Sequence, residues 1–115
     1  MREFEPLPNV ESIDEFIARH PCVLLYVSQP DCRVCHALQP KIQRLMMKYP
    51  KIALGAINAQ EVKEVSGKFL VFTVPVALLF VEGKEYLREV RIVHMDLFDE
   101  KISRIYHNLI FSDGE

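Results

Sequence analysis

Glycine is scarce in this chain. Gly55, Gly67, Gly83 and Gly114 are the only ones, so a glycine-rich loop of the kind that cradles phosphates is missing. Charge of one sign is not in excess either. Fourteen Lys and Arg against sixteen Asp and Glu give a net charge of −2. That argues against a dominant nucleic-acid surface, because such domains carry a basic excess. Long apolar runs are also missing. The longest, Phe69 to Val81, is interrupted by Thr73 and Pro75, and it falls short of the roughly 20 residues that cross a bilayer. The N-terminal residues Met1-Arg2-Glu3-Phe4-Glu5-Pro6 bring acidic side chains where a secretory leader has an apolar stretch. The expectation is a cytoplasmic protein that engages neither nucleic acid nor membrane.

What remains is the composition of a globular protein, half hydrophobic and 26% charged over 115 residues. That length predicts one domain, residues 1–115, large enough to bury a core without covalent staples, and the expected state is a monomer. Three cysteines is an odd number. Without an export signal a disulfide framework is not expected, and the cysteines become core fillers, metal ligands or redox groups.

Along the chain, residues 1–8 read as a short arm or a strand. Ser12 to His20 reads as a helix, with Ser12 and Glu15 as a capping box and Ile13, Phe16 and Ile17 on one face. Cys22 to Val27 is a continuous apolar run of strand length, the pattern of a strand covered on both faces. After a Gln29-Pro30-Asp31 turn, a helix from Cys32 or Arg33 to Tyr49 is predicted, with Val34, Leu38, Ile42, Leu45, Met46 and Tyr49 inward and Pro40 kinking it. Ile52 to Asn58 follows as a strand. Gln60 to Lys68 follows as a short helix, with Val62 and Val65 inward and Gly67 as its stop. Val76 to Val81 and Glu85 to Val93 form a hairpin about Glu82-Gly83-Lys84. A last helix covers Asp96 to Asn108, with Phe98, Ile102, Ile105, Tyr106 and Leu109 toward the core. This order predicts an α/β fold: a mixed central β-sheet with helices on both faces, parallel in its first half and antiparallel in its second.

Cys32-Arg33-Val34-Cys35 stands where a buried strand turns into a helix. Residues three apart on a helix are neighbours, with Cβ atoms about 5–6 Å apart. A disulfide needs Cα atoms about 4.4–6.8 Å apart, so the pair can open and close with little backbone movement. At the helix start, unpaired N–H groups and the positive end of the dipole favour a thiolate. Cys32 is therefore the better nucleophile, and Cys35, one turn further in, suits the resolving role. Arg33 favours the Cys32 thiolate and Asp31 opposes it, which leaves the helix terminus as the unopposed influence. Zinc is the competing reading of a Cys-x-x-Cys pair. It usually needs a second pair or added histidines, and only Cys22 and four scattered histidines are at hand.

With these residues in place, the sequence resembles a thioredoxin from about Ser12 to Leu109. The resemblance rests on the apolar strand Val23 to Val27 and on Cys32-x-x-Cys35 opening a helix. It rests further on Pro40 five residues past the second cysteine, Thr73-Val74-Pro75 before the strand Val76 to Phe80, and the Glu82-Gly83-Lys84 turn. It implies a thioredoxin-like fold, a cis bond at Val74-Pro75 facing the disulfide, and substrate contact through Val74 and Pro75. It further implies thiol–disulfide exchange with disulfide-containing protein substrates, an electron donor such as a thioredoxin reductase, and no metal or organic cofactor. The chain departs from the family pattern at Asp31, where an aromatic residue is usual, and at Arg33-Val34, where Gly-Pro is frequent. It departs again at Tyr26, the place of a buried Asp thought to assist proton transfer to the second cysteine. A phenol with an ordinary pKa near 10 is a poor base at neutral pH. The family's late glycine is expected to be replaced near Val93 or His94. Asp31, Arg33 and Tyr26 are thus read as tuning residues. Cys22 is read as a core filler, and His36 and His94 as solvated or structural side chains. An adaptor that keeps the fold with a slow redox pair is the alternative function.

Overall fold

The structure, a computed structural model, describes residues 2 to 111 of the chain, with side chains described to residue 109. Seven residues, Cys22–Ser28, form strand β2, and the first six are buried. A strand buried on both faces needs a neighbour on each edge and cover on each side. Strand β3 (Ala53–Asn58) runs parallel to β2 on one edge, and β4 (Val76–Val81) runs antiparallel on the other. Strand β1 (Glu5–Pro6) extends the sheet beyond β3, and β5 (Lys84–Val90) extends it beyond β4. The order is β1-β3-β2-β4-β5. This is the mixed sheet the sequence implies.

Side chains alternate across β2, as a pleated strand requires. Cys22, Leu24 and Tyr26 face one side. There they pack with Leu38 and Ile42 of helix α2 (Arg33–Leu45) and Phe98 and Ile102 of helix α4 (Met95–Ile105). Val23, Leu25 and Val27 face the other side. They meet Ile13 and Phe16 of α1 (Val10–Arg19) and Val65 of α3 (Val65–Phe69). Gly55 belongs to this second layer. A Cβ on it would lie 2.7 Å from Leu7 Cδ1, 3.0 Å from Phe16 Cε2 and 3.1 Å from Leu25 Cδ2, so the absent side chain is what lets the layer close. The β4–β5 hairpin turns through Glu82 and Gly83, both at positive φ (51° and 79°), the backbone of a tight two-residue turn.

The boundaries differ from the sequence reading in physically instructive places. Helix α1 begins at Val10, two residues before the expected Ser12, because Asn9 is its cap. The Asn9 side chain accepts the Ser12 N–H at 2.7 Å, and the Ser12 hydroxyl accepts the Asn9 N–H at 3.2 Å. Ser12 is thus the third member of the box rather than its first. Helix α2 runs through Pro40 but gives way at Leu45 to a 3₁₀ turn, Met46–Lys48. Its first-turn Val34 is 55% exposed rather than inward. Residues 60–64 form turns, so the third helix starts only at Val65. Gly67 lies inside that helix, and the left-handed stop is Leu70 at φ 56°. Strand β5 ends at Val90, three residues early. After Ile105 the last helix continues as a π-helical turn, Tyr106–Phe111; Leu109 is exposed and Ile105 only half-buried. Among the described residues, no helix is long and apolar enough to cross a membrane.

Candidate active site

The C-terminal end of β2 delivers the chain to Cys32. Ser28 is held by the Ala59 N–H on its carbonyl (2.9 Å), and the following turn closes with the Cys32 N–H on the Gln29 carbonyl (3.2 Å). Cys32 is the N-cap of α2, in an extended conformation, and its sulfur accepts the N–H of Cys35 at 3.1 Å. Serine, threonine and aspartate fill this position in most helices because their oxygens satisfy an orphan N–H. Here sulfur fills it, in the field of the helix N-terminus, where negative charge is favoured. The two cysteines are joined as a disulfide with Cα atoms 5.3 Å apart. Their exposure is unequal. Cys32 is partly exposed, whereas Cys35 is 1% exposed. An incoming sulfur therefore has access to Cys32 and not to Cys35.

Tyr26 lies beneath this turn, fully enclosed in the layer between sheet and α2. Its hydroxyl donates to the Cys35 carbonyl at 2.6 Å, and burial pushes its pKa up to about 12. At neutral pH it is a donor that positions the resolving cysteine, not a base. Asp31 is exposed, and its carboxylate accepts the Gln60 side-chain amide at 3.2 Å. Arg33 is exposed and makes no bond to any described residue. His36 has a structural part that its solvated appearance in sequence hides. Its Nε2–H donates to the Pro30 carbonyl at 2.6 Å, fastening the turn before Cys32 to the first turn of α2. The only sequence signal for this contact is the six-residue spacing across a proline.

The second arm of the site comes from β4. Val27 pairs with Val76, so Pro75 and Val74 lie at the end of the sheet from which the chain leaves β2 for Cys32. The Val74-Pro75 bond is cis, Pro75 is buried, and Val74 packs at the edge of the α1/α3 layer. Val76 pairs with Val90 in turn, and the Arg91 N–H donates to the Pro75 carbonyl at 2.8 Å. The late special backbone position is therefore Arg91, at φ 67°, and not Val93 or His94. No local pattern in the sequence marks it, because the residue there is not glycine. His94 precedes α4 with its carbonyl accepting the Phe98 N–H (2.9 Å), and no bond joins it to the cysteines among the described residues. Cys22 is a free, fully buried thiol at the far end of β2, and burial pushes its pKa up to about 12. Among the described residues, no group of three or more His, Cys, Asp or Glu is placed to hold a metal.

The comparisons with known proteins converge on this arrangement. A sequence model of the Thioredoxin family matches residues 7–104. The "Thioredoxin-like protein YdfQ" of Bacillus subtilis is 46% identical over 106 residues, covering 92% of this chain and 95% of that one. A thioredoxin of Chlamydia pneumoniae is 28% identical over 94 residues, covering 82% of this chain and 91% of its own. Among solved structures, thioredoxin from Trypanosoma brucei brucei superposes with a TM-score of 0.83 at 13% identity, covering 92% of this chain and 93% of that chain. Fasciola hepatica thioredoxin superposes with a TM-score of 0.78 at 19% identity, covering 88% and 98%. At those identities the structural likeness speaks for the fold alone, whereas the family match and the near full-length bacterial relative speak for descent. By fold, by matched span and by the cysteine pair that caps its second helix, this chain belongs to the thioredoxin family.

Proposed function

We propose that the chain is a thiol–disulfide oxidoreductase that reduces protein disulfides, acting as a single domain in the cytoplasm. The Cys32 thiolate attacks one sulfur of a substrate disulfide. The substrate S–S bond breaks, its second sulfur leaves as a thiolate and takes a proton, and a Cys32–substrate mixed disulfide remains. Cys35 then loses its proton to solvent and attacks the Cys32 sulfur. The second substrate thiol departs, and Cys32–Cys35 is left oxidised. Two electrons have moved to the substrate, and a donor such as a thioredoxin reductase must return them. The chemistry requires no metal or organic cofactor.

The single observation that carries this reading is the unequal pair: a partly exposed sulfur capping a helix, bonded to one that is buried. Val74 and Pro75 stand beside it as the segment along which a substrate chain would lie. Asp31, Arg33 and Tyr26 tune or position the pair. The adaptor reading draws on Tyr26, whose hydroxyl is too weak an acid to exchange protons at neutral pH. A turnover assay separates the two. The wild-type chain with a dithiol reductant is expected to reduce a protein disulfide, and Cys32→Ser to fall to background. Cys35→Ser is expected to hold substrate as a mixed disulfide on Cys32. A wild-type chain that turns over with no reductant leaves the adaptor.

A further inference from the structure

Two guanidinium groups without partners stand near the cysteines. Arg2, Arg19, Arg88 and Arg104 all have hydrogen-bond or ion-pair partners. The side chains of Arg33 and Arg91 have none among the described residues, nor has that of Arg44 toward the other end of α2. Arg33 and Arg91 both belong to the end of the sheet that carries the cysteines. Arg33 follows Cys32 directly, and Arg91 is tied to the Pro75 carbonyl at 2.8 Å. Arg91 also holds a backbone that favours glycine. It sits at φ 67°, and the Ile92 N–H closes on the Val90 carbonyl at 2.8 Å, a three-residue γ-turn that is strained for a residue with a Cβ. Glycine would make the same turn without strain, yet a guanidinium stands there.

A third cation belongs to this end of the sheet. Lys63 lines a cleft of about 290 Å³ with Gln29, Val71, Phe72, Thr73 and Val74. No acidic side chain lines this cleft. Asp31 keeps its charge while accepting the Gln60 amide, but it follows the Gln29-Pro30 turn rather than the Thr73–Pro75 segment, and Glu61 and Glu64 do not line the cleft. Apolar side chains complete the face: Val34, Phe72 and Ile92 are 55%, 76% and 73% exposed.

We propose that this face selects protein disulfides whose reactive cysteine lies in an extended acidic segment with an apolar neighbour, and that Arg91 sets the charge preference. The inference rests on Cys32 as the attacking sulfur. A guanidinium presents a planar fork that matches a carboxylate and holds its charge at every working pH. Set beside the segment Thr73–Pro75, it attracts an acidic chain and repels a basic one while the substrate cysteine approaches Cys32.

The test uses the full reduced chain and three disulfide-linked peptide dimers, identical except for Glu, Ser or Lys on both sides of the cysteine. Oxidation of the protein is followed by stopped flow. The Glu dimer is expected to react about tenfold faster than the Lys dimer at low salt, with the ratio shrinking severalfold at high salt. Arg91→Gly suits the backbone and removes the charge, and it should bring the ratio to about threefold or less. Arg91→Lys should keep most of it. Equal rates for the Glu and Lys dimers in the wild type, or a full ratio in Arg91→Gly, overturn the proposal. If the neutral Ser dimer does not oxidise the wild-type chain, the reading of Cys32 falls, and this inference falls with it. If the Ser dimer reacts and no charge preference is seen, only this inference falls.

Discussion

The two ends of the sheet are built on opposite terms. At the end where β3 begins, polar groups are paired with one another. The Arg2 guanidinium donates to the carbonyls of Met46, Tyr49 and Ile52, and the Gln43 amide donates to the Arg2 carbonyl. Lys48 and the Tyr49 hydroxyl both bind the Asp99 carboxylate, and Tyr49 stacks edge-on against Tyr106. The Arg2 contacts add side-chain donors to the Met46 and Tyr49 carbonyls, which already accept the N–H groups of Tyr49 and Ile52, and tie the N-terminal arm to the segment that follows α2. At the other end, the Arg33, Lys63 and Arg91 side chains have no partner among the described residues, Val34, Phe72 and Ile92 face water, and a sulfur caps the helix. The first end ties segments distant in sequence together through their side chains. The second leaves interactions unmade, and a surface that must engage another chain needs such groups in reserve.

The sharpest way to break that contrast is at the cysteines. Cys32→Ser keeps a capping oxygen and removes the nucleophile. Disulfide turnover should be lost to background while the melting temperature of the reduced protein moves by only a degree or two, the shift of roughly 0.5 kcal/mol or less in a domain this size. Loss of folding along with activity would deny the division of labour. At the paired end, Arg2→Ala removes three hydrogen bonds between the N-terminal arm and the segment from Met46 to Ile52, although the Met46 and Tyr49 carbonyls keep the N–H groups of Tyr49 and Ile52. It should destabilise the fold by about 1–3 kcal/mol in denaturant melts with the rate of disulfide exchange little altered. Gly55→Ala probes the layer between these ends. Its new methyl group must displace Leu7 Cδ1, and a cost of about 1–3 kcal/mol is expected.

Tyr26→Phe is a finer probe. It removes the donor to the Cys35 carbonyl, so about 1 kcal/mol of stability should go. Because the phenol titrates only at about 12, the inflections of the pH–rate profile between roughly pH 5 and 9 should be the same as in the wild type. An inflection that vanishes with the hydroxyl would make Tyr26 a proton carrier. The smallest effect concerns Asp99. Desolvation works against its ionisation, but the bonds from Lys48 and Tyr49 outweigh it and hold its carboxyl below the ordinary value. A carboxyl lowered by folding stabilises the fold above its unfolded pKa of about 3.9. That contribution disappears as the pH drops through the folded value. Wild type should therefore melt above Asp99→Asn near pH 6, and the gap should narrow steadily as the pH is lowered below about 4. A gap that persists in acid would assign the effect to packing.

Much of this was legible in the chain because it is local. The uninterrupted apolar run of β2, the helical period of α2 and the turn at Glu82-Gly83 each depend on residues close in sequence. So does the helix-start position of Cys32. Three features were not legible, and each depends on residues far apart. The shielding of Cys35 comes from the layer it enters. The bond from Tyr26 spans nine residues and depends on α2 lying over β2. The left-handed backbone at Arg91 is imposed by pairing with Pro75 across the sheet, and its arginine gives no sign of it. The turns at 60–64 mislead for a related reason: Val62 and Val65 are buried at helical spacing, but Asn58 draws that stretch into turns through its carbonyl and its side chain.

Alternation, period and capping chemistry determined by themselves which segments become strands and helices, and that two sulfurs stand one helical turn apart. These follow from the geometry of the backbone, whatever surrounds it. The tertiary structure alone decided which sulfur faces water, which cations lack partners, and which residue bears a strained turn beside Pro75. Burial and pairing are properties of the space between elements, and only the packed sheet brings Ser28, Pro75 and Arg91 to one end of the molecule.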